Sequence, residues 1–420
     1  MKFRVLRMQK TAERIHCAGF LLCLILYRRM DILPCSFLKE FFVKTYDVVV
    51  IGAGIIGLAI AYELKLRNQK LKILVLDKNT AGKEASWASA GMLEPQLNVN
   101  EDAGNGAGEL QRKFFNLCIE SQFIFEEYLR RVEWISKQEC DYRKEGILQL
   151  IPPGEKADEK RAWLARLGLR TNFWNQEETE QYEPALAEGY SAIHLPDNHQ
   201  VDNRKLMQAL IAACRQMQIE ILEHCEVTDF SLVNDAVSAA HGHTSQFSAA
   251  HYVLTAGSWS SQFPALHGII PEIQPIRGQI HSMQMPSPQF VRHAGHFDDL
   301  YYVPRNDGRI LIGSTVEDAG FNRSVSKEVT ESFVKKLEVV IPNSVYFKPI
   351  ESWSGLRPVS NDRYPVLGET ALSNLFIATG HFRNGILLMP ITARLLADFM
   401  LEQKVSPLIK PFSPSRFYKK

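Results

Sequence analysis

"YDVVVIGAGIIGLAIAYELKLRNQKLKILVLDK", Tyr46 to Lys78, decides the fold. Val48 to Ile51 is an unbroken apolar run, which suits a parallel strand buried on both faces. Gly52-x-Gly54-x-x-Gly57 follows, then a helical stretch ending near Arg67, then a mostly apolar run from Leu71 to Leu76 closed by Asp77. Gly52 allows a tight turn, Gly54 lets backbone N–H groups approach a pyrophosphate, and Gly57 lets helix and strand pack closely. The helix start attracts phosphate, and Asp77 can accept a hydrogen bond from a ribose hydroxyl. A lone glycine triplet says little. The whole strand-turn-helix-strand-acid unit predicts dinucleotide binding, without separating NAD from FAD.

Working outward, 420 residues suffice for two compact regions or one large two-lobed fold. Hydrophobic residues make up 45% and charged residues 23%, which is ordinary globular composition. Residues 1–44 carry nine Lys/Arg and three Asp/Glu, so +6, against 39 and 44 in the rest, so −5. A slightly acidic body argues against a nucleic-acid partner. The apolar run Cys17 to Tyr27 is too short to span a membrane, and no small-residue cleavage site follows it. An interfacial anchor is compatible with it; the expectation is an extension outside the fold, with a cytoplasmic protein and no membrane partner. The seven cysteines (Cys17, Cys23, Cys35, Cys118, Cys140, Cys214, Cys225) form no C-x-x-C pair and no metal spacing, and read as free thiols in a reducing compartment.

Further along, Gly-rich Ala103 to Gly108 reads as a loop. Leu206, Ala209, Leu210, Ala213 and Met217 recur at helical spacing behind Asp202, which reads as an N-cap. "AHYVLTAGS", Ala250 to Ser258, reads as another apolar strand. Tyr301 to Arg305 and "RILIGST", joined by Asn306-Asp307-Gly308, read as a hairpin. Strands there are not separated by helices, so a sheet-rich lobe interrupts the α/β one.

Together with the dinucleotide unit, three stretches carry a family likeness: "EASWASAGMLEP" (Glu84 to Pro95), "SGLRPVSNDRYPVLG" (Ser354 to Gly368) and "GHFRNGILL" (Gly380 to Leu388). From about residue 45 to 415 the chain resembles the FAD-dependent D-amino acid oxidase superfamily, and within it the glycine oxidase (ThiO-type) branch of thiamine synthesis. The resemblance implies an α/β fold with a Rossmann-like FAD-binding domain (45–130, 196–265 and 346–415) and a discontinuous, antiparallel-sheet substrate domain (131–195 and 266–345). It implies non-covalent FAD, since no cysteine stands in the C-terminal motif. It also implies oxidation of glycine or another small amino acid by molecular oxygen, giving an imine or glyoxylate, ammonia and hydrogen peroxide, with iminoacetate passing to the thiazole of thiamine. No dedicated acid or base is needed. A homo-oligomer is compatible. A rival reading is a D-amino acid dehydrogenase that passes electrons to a quinone.

The resemblance also assigns site residues. Gly52, Gly54, Ile55, Ile56 and Gly57 would meet the phosphates, and Asp77 and Lys78 the ribose. Ala85, Ser86, Ala90, Gly91 and Met92 would run along the flavin, with Val227 at the adenine. His381, Phe382, Arg383, Asn384, Gly385, Ile386 and Leu387 would form a second contact segment, with Asn384-Gly385 opening a helix that Pro390 breaks or kinks. Arg357 would hold the substrate carboxylate, Arg383 would stand by as a second arginine, and Tyr301 would lie beside the substrate. Alternation along a strand lets only one of Tyr301 and Tyr302 face the site.

Overall fold

The computed structural model describes residues 45–98 and 108–418. The expectations for residues 1–44 and for the Gly-rich loop up to residue 107 fall outside the described residues.

The diagnostic stretch folds as its pattern requires. The strand Thr45–Ile51 pairs in parallel with Ile73–Leu76 on one side and Gln246–Leu254 on the other. Val48 and Val50 enter the core on one face of this sheet, Val49 and Ile51 the core on the other, so an alternating pleat needs apolar residues at every position. The sheet runs Val366–Glu369, Leu375–Thr379, Gln246–Leu254, Thr45–Ile51, Ile73–Leu76, Glu220–Leu222, with the hairpin Val227–Val233 and Ala236–Gly242 joined to its third strand. Helices Ile55–Arg67, Gly108–Ser136, Asn203–Gln216 and Gly385–Glu402 pack together in the first of the two cores.

A second sheet is ordered Lys348–Ser360, Ile273–Gln284, Arg309–Gly313, Leu300–Pro304, Ala294–Phe297, Ile147–Ile151, Ser191–Leu195, Asn172–Trp174. It is antiparallel except where Ala294–Phe297 meets Ile147–Ile151. The expected Asp-Gly hairpin is its centre. Lys348–Ser360 pairs along its whole length in this sheet, so the division drawn at 346 from the sequence falls near Ser360 if sheets define the halves. Register with Ile273–Gln284 is the reason, and a partner so distant in sequence cannot be read locally. Both sheets belong to one compact unit.

Two helix details follow from side-chain chemistry. Asp202 caps Asn203–Gln216 by accepting from the N–H groups of Arg204 and Lys205 at 2.9 and 3.1 Å. Pro390 does not break its helix, which continues from Gly385 to Glu402. Pro390 is the sixth residue of this helix, past the first turn, so one bond to the Ile386 carbonyl is forgone and the helix continues through it. Among the described residues no helix is long and apolar enough to cross a membrane. Cys118, Cys140 and Cys214 are buried and, with Cys225, free.

Candidate active site

The C-terminal ends of the parallel strands and the face of the second sheet enclose a cavity of about 890 Å³. That volume lies toward the upper end of the ~300–1,000 Å³ typical of ligand sites. At one end Gly52, Gly54, Ile55 and Ile56 line it with Asp77, Lys78 and Val227. Gly57 does not reach the cavity. A Cβ there would stand 2.1 Å from the Gly52 carbonyl oxygen and 2.5 Å from Thr255 Oγ1, so its role is close packing of helix on strand. Asp77 braces the turn: Oδ2 accepts from Ala53 N–H at 2.7 Å and Oδ1 from Asn79 N–H at 2.9 Å. Burial pushes its carboxyl up, and these two donors pull against that. Lys78 Nζ lies 3.6 Å from the Trp259 ring centre.

The segment Ala85, Ser86, Ala90, Gly91 and Met92 forms one wall. Ser86 Oγ accepts from the Ile55 N–H at 3.0 Å, which ties this wall to the helix start. Buried Arg305, unremarked in the sequence, donates to Ala90 O at 2.7 Å and Val201 O at 3.1 Å and so holds the same wall from behind.

At the other end the two C-terminal motifs lie side by side. Phe382 N–H donates to Pro358 O at 3.0 Å, and Val359 bridges His381. This brings Arg357 and Arg383, twenty-six residues apart in sequence, into one wall. The Arg357 guanidinium lies flat over Gly278, where a Cβ would fall 2.2 Å from Nη2. It donates to Thr315 O at 3.0 Å and Ser314 Oγ at 2.6 Å. Among the described residues no carboxylate pairs with Arg357 or Arg383. Burial pulls both guanidiniums below their ordinary values. Tyr301 faces the cavity and Tyr302 the opposite core, which settles the alternation. Burial pushes the Tyr301 phenol up, opposed by Arg357, Ser314 and Arg383.

His381, Phe382, Gly385 and Ile386 also line the cavity; Asn384 and Leu387 do not. Asn384 is the N-cap residue of its helix, with its side chain turned toward Glu94 O. Leu387 is core, because successive helical residues point about 100° apart and Ile386 already faces the cavity. His381 is buried against Thr392 Oγ1 at 3.2 Å, and burial pushes its imidazole down to about 3. Thr255 to Gly257, Ser314, Thr315 and His296 also line the cavity without having been singled out. For the first, the Ala-Gly ending of an apolar strand was a usable signal.

The model for the DAO family, FAD dependent oxidoreductase, matches residues 47–399. The chain belongs to this family of FAD-dependent oxidoreductases. It is 35% identical over 380 residues to a bifunctional ThiO/ThiG protein of Synechocystis, covering 89% of this chain and 54% of the relative. The chain thus spans about half the length of the first curated relatives it matches. It is 28% identical to a glycine oxidase of Geobacillus kaustophilus, covering 88% of this chain and 97% of that one. The crystal structure of a glycine oxidase from that organism superposes with a TM-score of 0.80 at 27% identity, covering 89% of this chain and all of the other. The cofactor of the family is FAD, and the cavity suits it. The helix start at Ile55 has no acidic residue in its first turn; Ser86 Oγ takes the Ile55 N–H, and the helix still presents its positive end to the cavity, where a pyrophosphate would fit.

Proposed function

We infer that the protein oxidises glycine or another small amino acid with molecular oxygen, giving an imine that hydrolyses to a 2-oxo acid and ammonia, with hydrogen peroxide as the second product. The observation that carries this reading is the pair of cavity-facing guanidiniums, Arg357 and Arg383, with no carboxylate partner among the described residues, beside the phenol of Tyr301. Buried cations need a counter-charge, and a guanidinium fork matches a carboxylate in bidentate geometry. Arg357, fixed by Ser314 and Thr315, is the primary carboxylate holder, and Arg383 the auxiliary one. FAD, when bound, supplies the two-electron acceptor that oxygen regenerates. The protein binds the amino acid by its carboxylate, orients Cα and excludes water.

The likeness to ThiO/ThiG proteins and glycine oxidases supports this substrate class and a supply of iminoacetate for the thiazole of thiamine. Within the chain, residues 45–130, 196–265 and 361–415 serve FAD and the second sheet serves the substrate. The cytoplasm is the place of action. The test is direct: glycine should bleach the yellow flavin without oxygen and yield peroxide with it. Bleaching without peroxide, with activity only toward a quinone, would replace the oxidase by a dehydrogenase.

A further inference from the structure

Glu94, at the end of the wall that carries Ala90 to Met92, is 2% exposed. Its Oε1 lies 2.8 Å from His296 Nε2, and its Oε2 accepts from Gln96 Nε2 at 3.2 Å and, more weakly, Asn198 Nδ2 at 3.5 Å. Two amide donors meeting one buried carboxyl equip it as an acceptor, so Nε2 of His296 carries the shared proton. That leaves Nδ1 as the basic nitrogen. Among the described residues Nδ1 has no hydrogen-bond partner, and His296 lines the cavity. In the sheet His296 stands directly opposite Tyr301, with ring centres 6.1 Å apart, and Tyr301 in turn stands opposite Gly313, next to the Ser314 that holds Arg357. A row thus crosses the cavity floor from the carboxylate-holding end to a carboxylate-backed imidazole.

We propose that His296, oriented by Glu94, is the base that takes the proton from the substrate ammonium. The inference rests on the amino acid oxidase reading above and departs from the family expectation, which needs no dedicated base. Bound as a zwitterion, the substrate must lose that proton before its nitrogen lone pair can assist oxidation at Cα. One N–H bond of the ammonium breaks, its electron pair stays on nitrogen, and one N–H bond forms at Nδ1. The Glu94 carboxylate then offsets the imidazolium, the arrangement by which a carboxylate holds a catalytic imidazole in one tautomer. The other titratable or charged groups around His296 are the neutral phenol of Tyr301 on the neighbouring strand, Asp299 at the hairpin end, ion-paired at 2.6 Å with Lys336, and Arg357 and Arg383 across the cavity. Gln149, opposite on the remaining neighbouring strand, carries no charge.

The test is anaerobic flavin reduction by glycine in FAD-loaded wild type, His296→Gln and Glu94→Gln, followed from pH 6 to 10. Glutamine at 296 keeps a donor for Glu94 and lacks a basic nitrogen. General-base catalysis is worth about 10²–10⁴-fold, so His296→Gln should lose on the order of a hundredfold at pH 7. The deficit should shrink as pH rises and free amine accumulates. Glu94→Gln, a positioning change, should lose less and shift the acidic limb of the profile. Affinity for acetate, which has no amine, should stay within about twofold in both, a readout that general damage to the site would move. A His296→Gln profile parallel to wild type, or a deficit equal at every pH, overturns the base. A wild type that no small amino acid reduces overturns the oxidase reading and the base with it, which separates the two failures.

Discussion

The two ends of the cavity handle charge in opposite ways. At the glycine turn, backbone N–H groups and one helix start face the ligand, and the nearby acid, Asp77, is used twice to brace that backbone. At the far end two guanidiniums on neighbouring segments face the cavity with no carboxylate among the described residues to pair them. The first end offers partial charges, and its glycine turn, helix start and acid come from about thirty consecutive residues. The second uses full charges and assembles strands from Gly278 to Arg383. The difference shows why the ends should fail separately: one loses the cofactor, the other loses the substrate.

The largest expected effect lies at the substrate end. Arg357→Ala removes a bidentate pair, and hydrogen bonds to charged groups are worth about 1.5–3 kcal/mol each, so roughly 3–6 kcal/mol is lost. At about 1.4 kcal/mol per tenfold, kcat/KM falls on the order of a thousandfold while flavin content is unchanged. Arg357→Lys restores part of this, and Arg383→Ala costs less than Arg357→Ala. If Arg357→Ala purified without flavin, the separation of the two ends would be wrong. At the other end, Asp77→Ala removes an acceptor of two backbone N–H bonds, worth about 1.5–3 kcal/mol each. It should weaken FAD roughly tenfold or more, measured by fluorescence titration, with little change in KM once FAD saturates.

Gly57→Ala sharpens the same contrast. Its Cβ would meet backbone at 2.1 Å, so overpacking should cost about 1–3 kcal/mol, read from urea unfolding. FAD occupancy should drop with it, and an unchanged midpoint would deny the close packing. The smallest effect concerns His381, where the ends meet. Its folded imidazole is pushed down to about 3, below the unfolded value near 6.5, so the unfolded chain binds the proton first. Stability is therefore retained above about pH 6.5 and lost as pH falls below it, by about 1 kcal/mol per pH unit. His381→Gln should flatten that slope between pH 6.5 and 5; a wild type with no slope there would mean a protonated or exposed imidazole.

The sequence by itself determined the dinucleotide unit, because strand, glycine turn, helix and acid are contiguous and each obeys a local steric or hydrogen-bonding rule. It determined the Asp202 cap and the Asp307-Gly308 hairpin for the same reason. Arg357, Arg383 and Tyr301 were legible only through family likeness, since an arginine in a strand carries no local sign of what it faces. Tertiary structure alone chose between Tyr301 and Tyr302, laid Arg357 over Gly278, and moved Lys348–Ser360 into the second sheet. It alone turned Leu387 and Asn384 away from the cavity and joined Glu94 to His296 across two hundred and two residues. Those choices depend on pairing register and on burial between distant segments. Neither has a signature in the spacing of neighbouring residues.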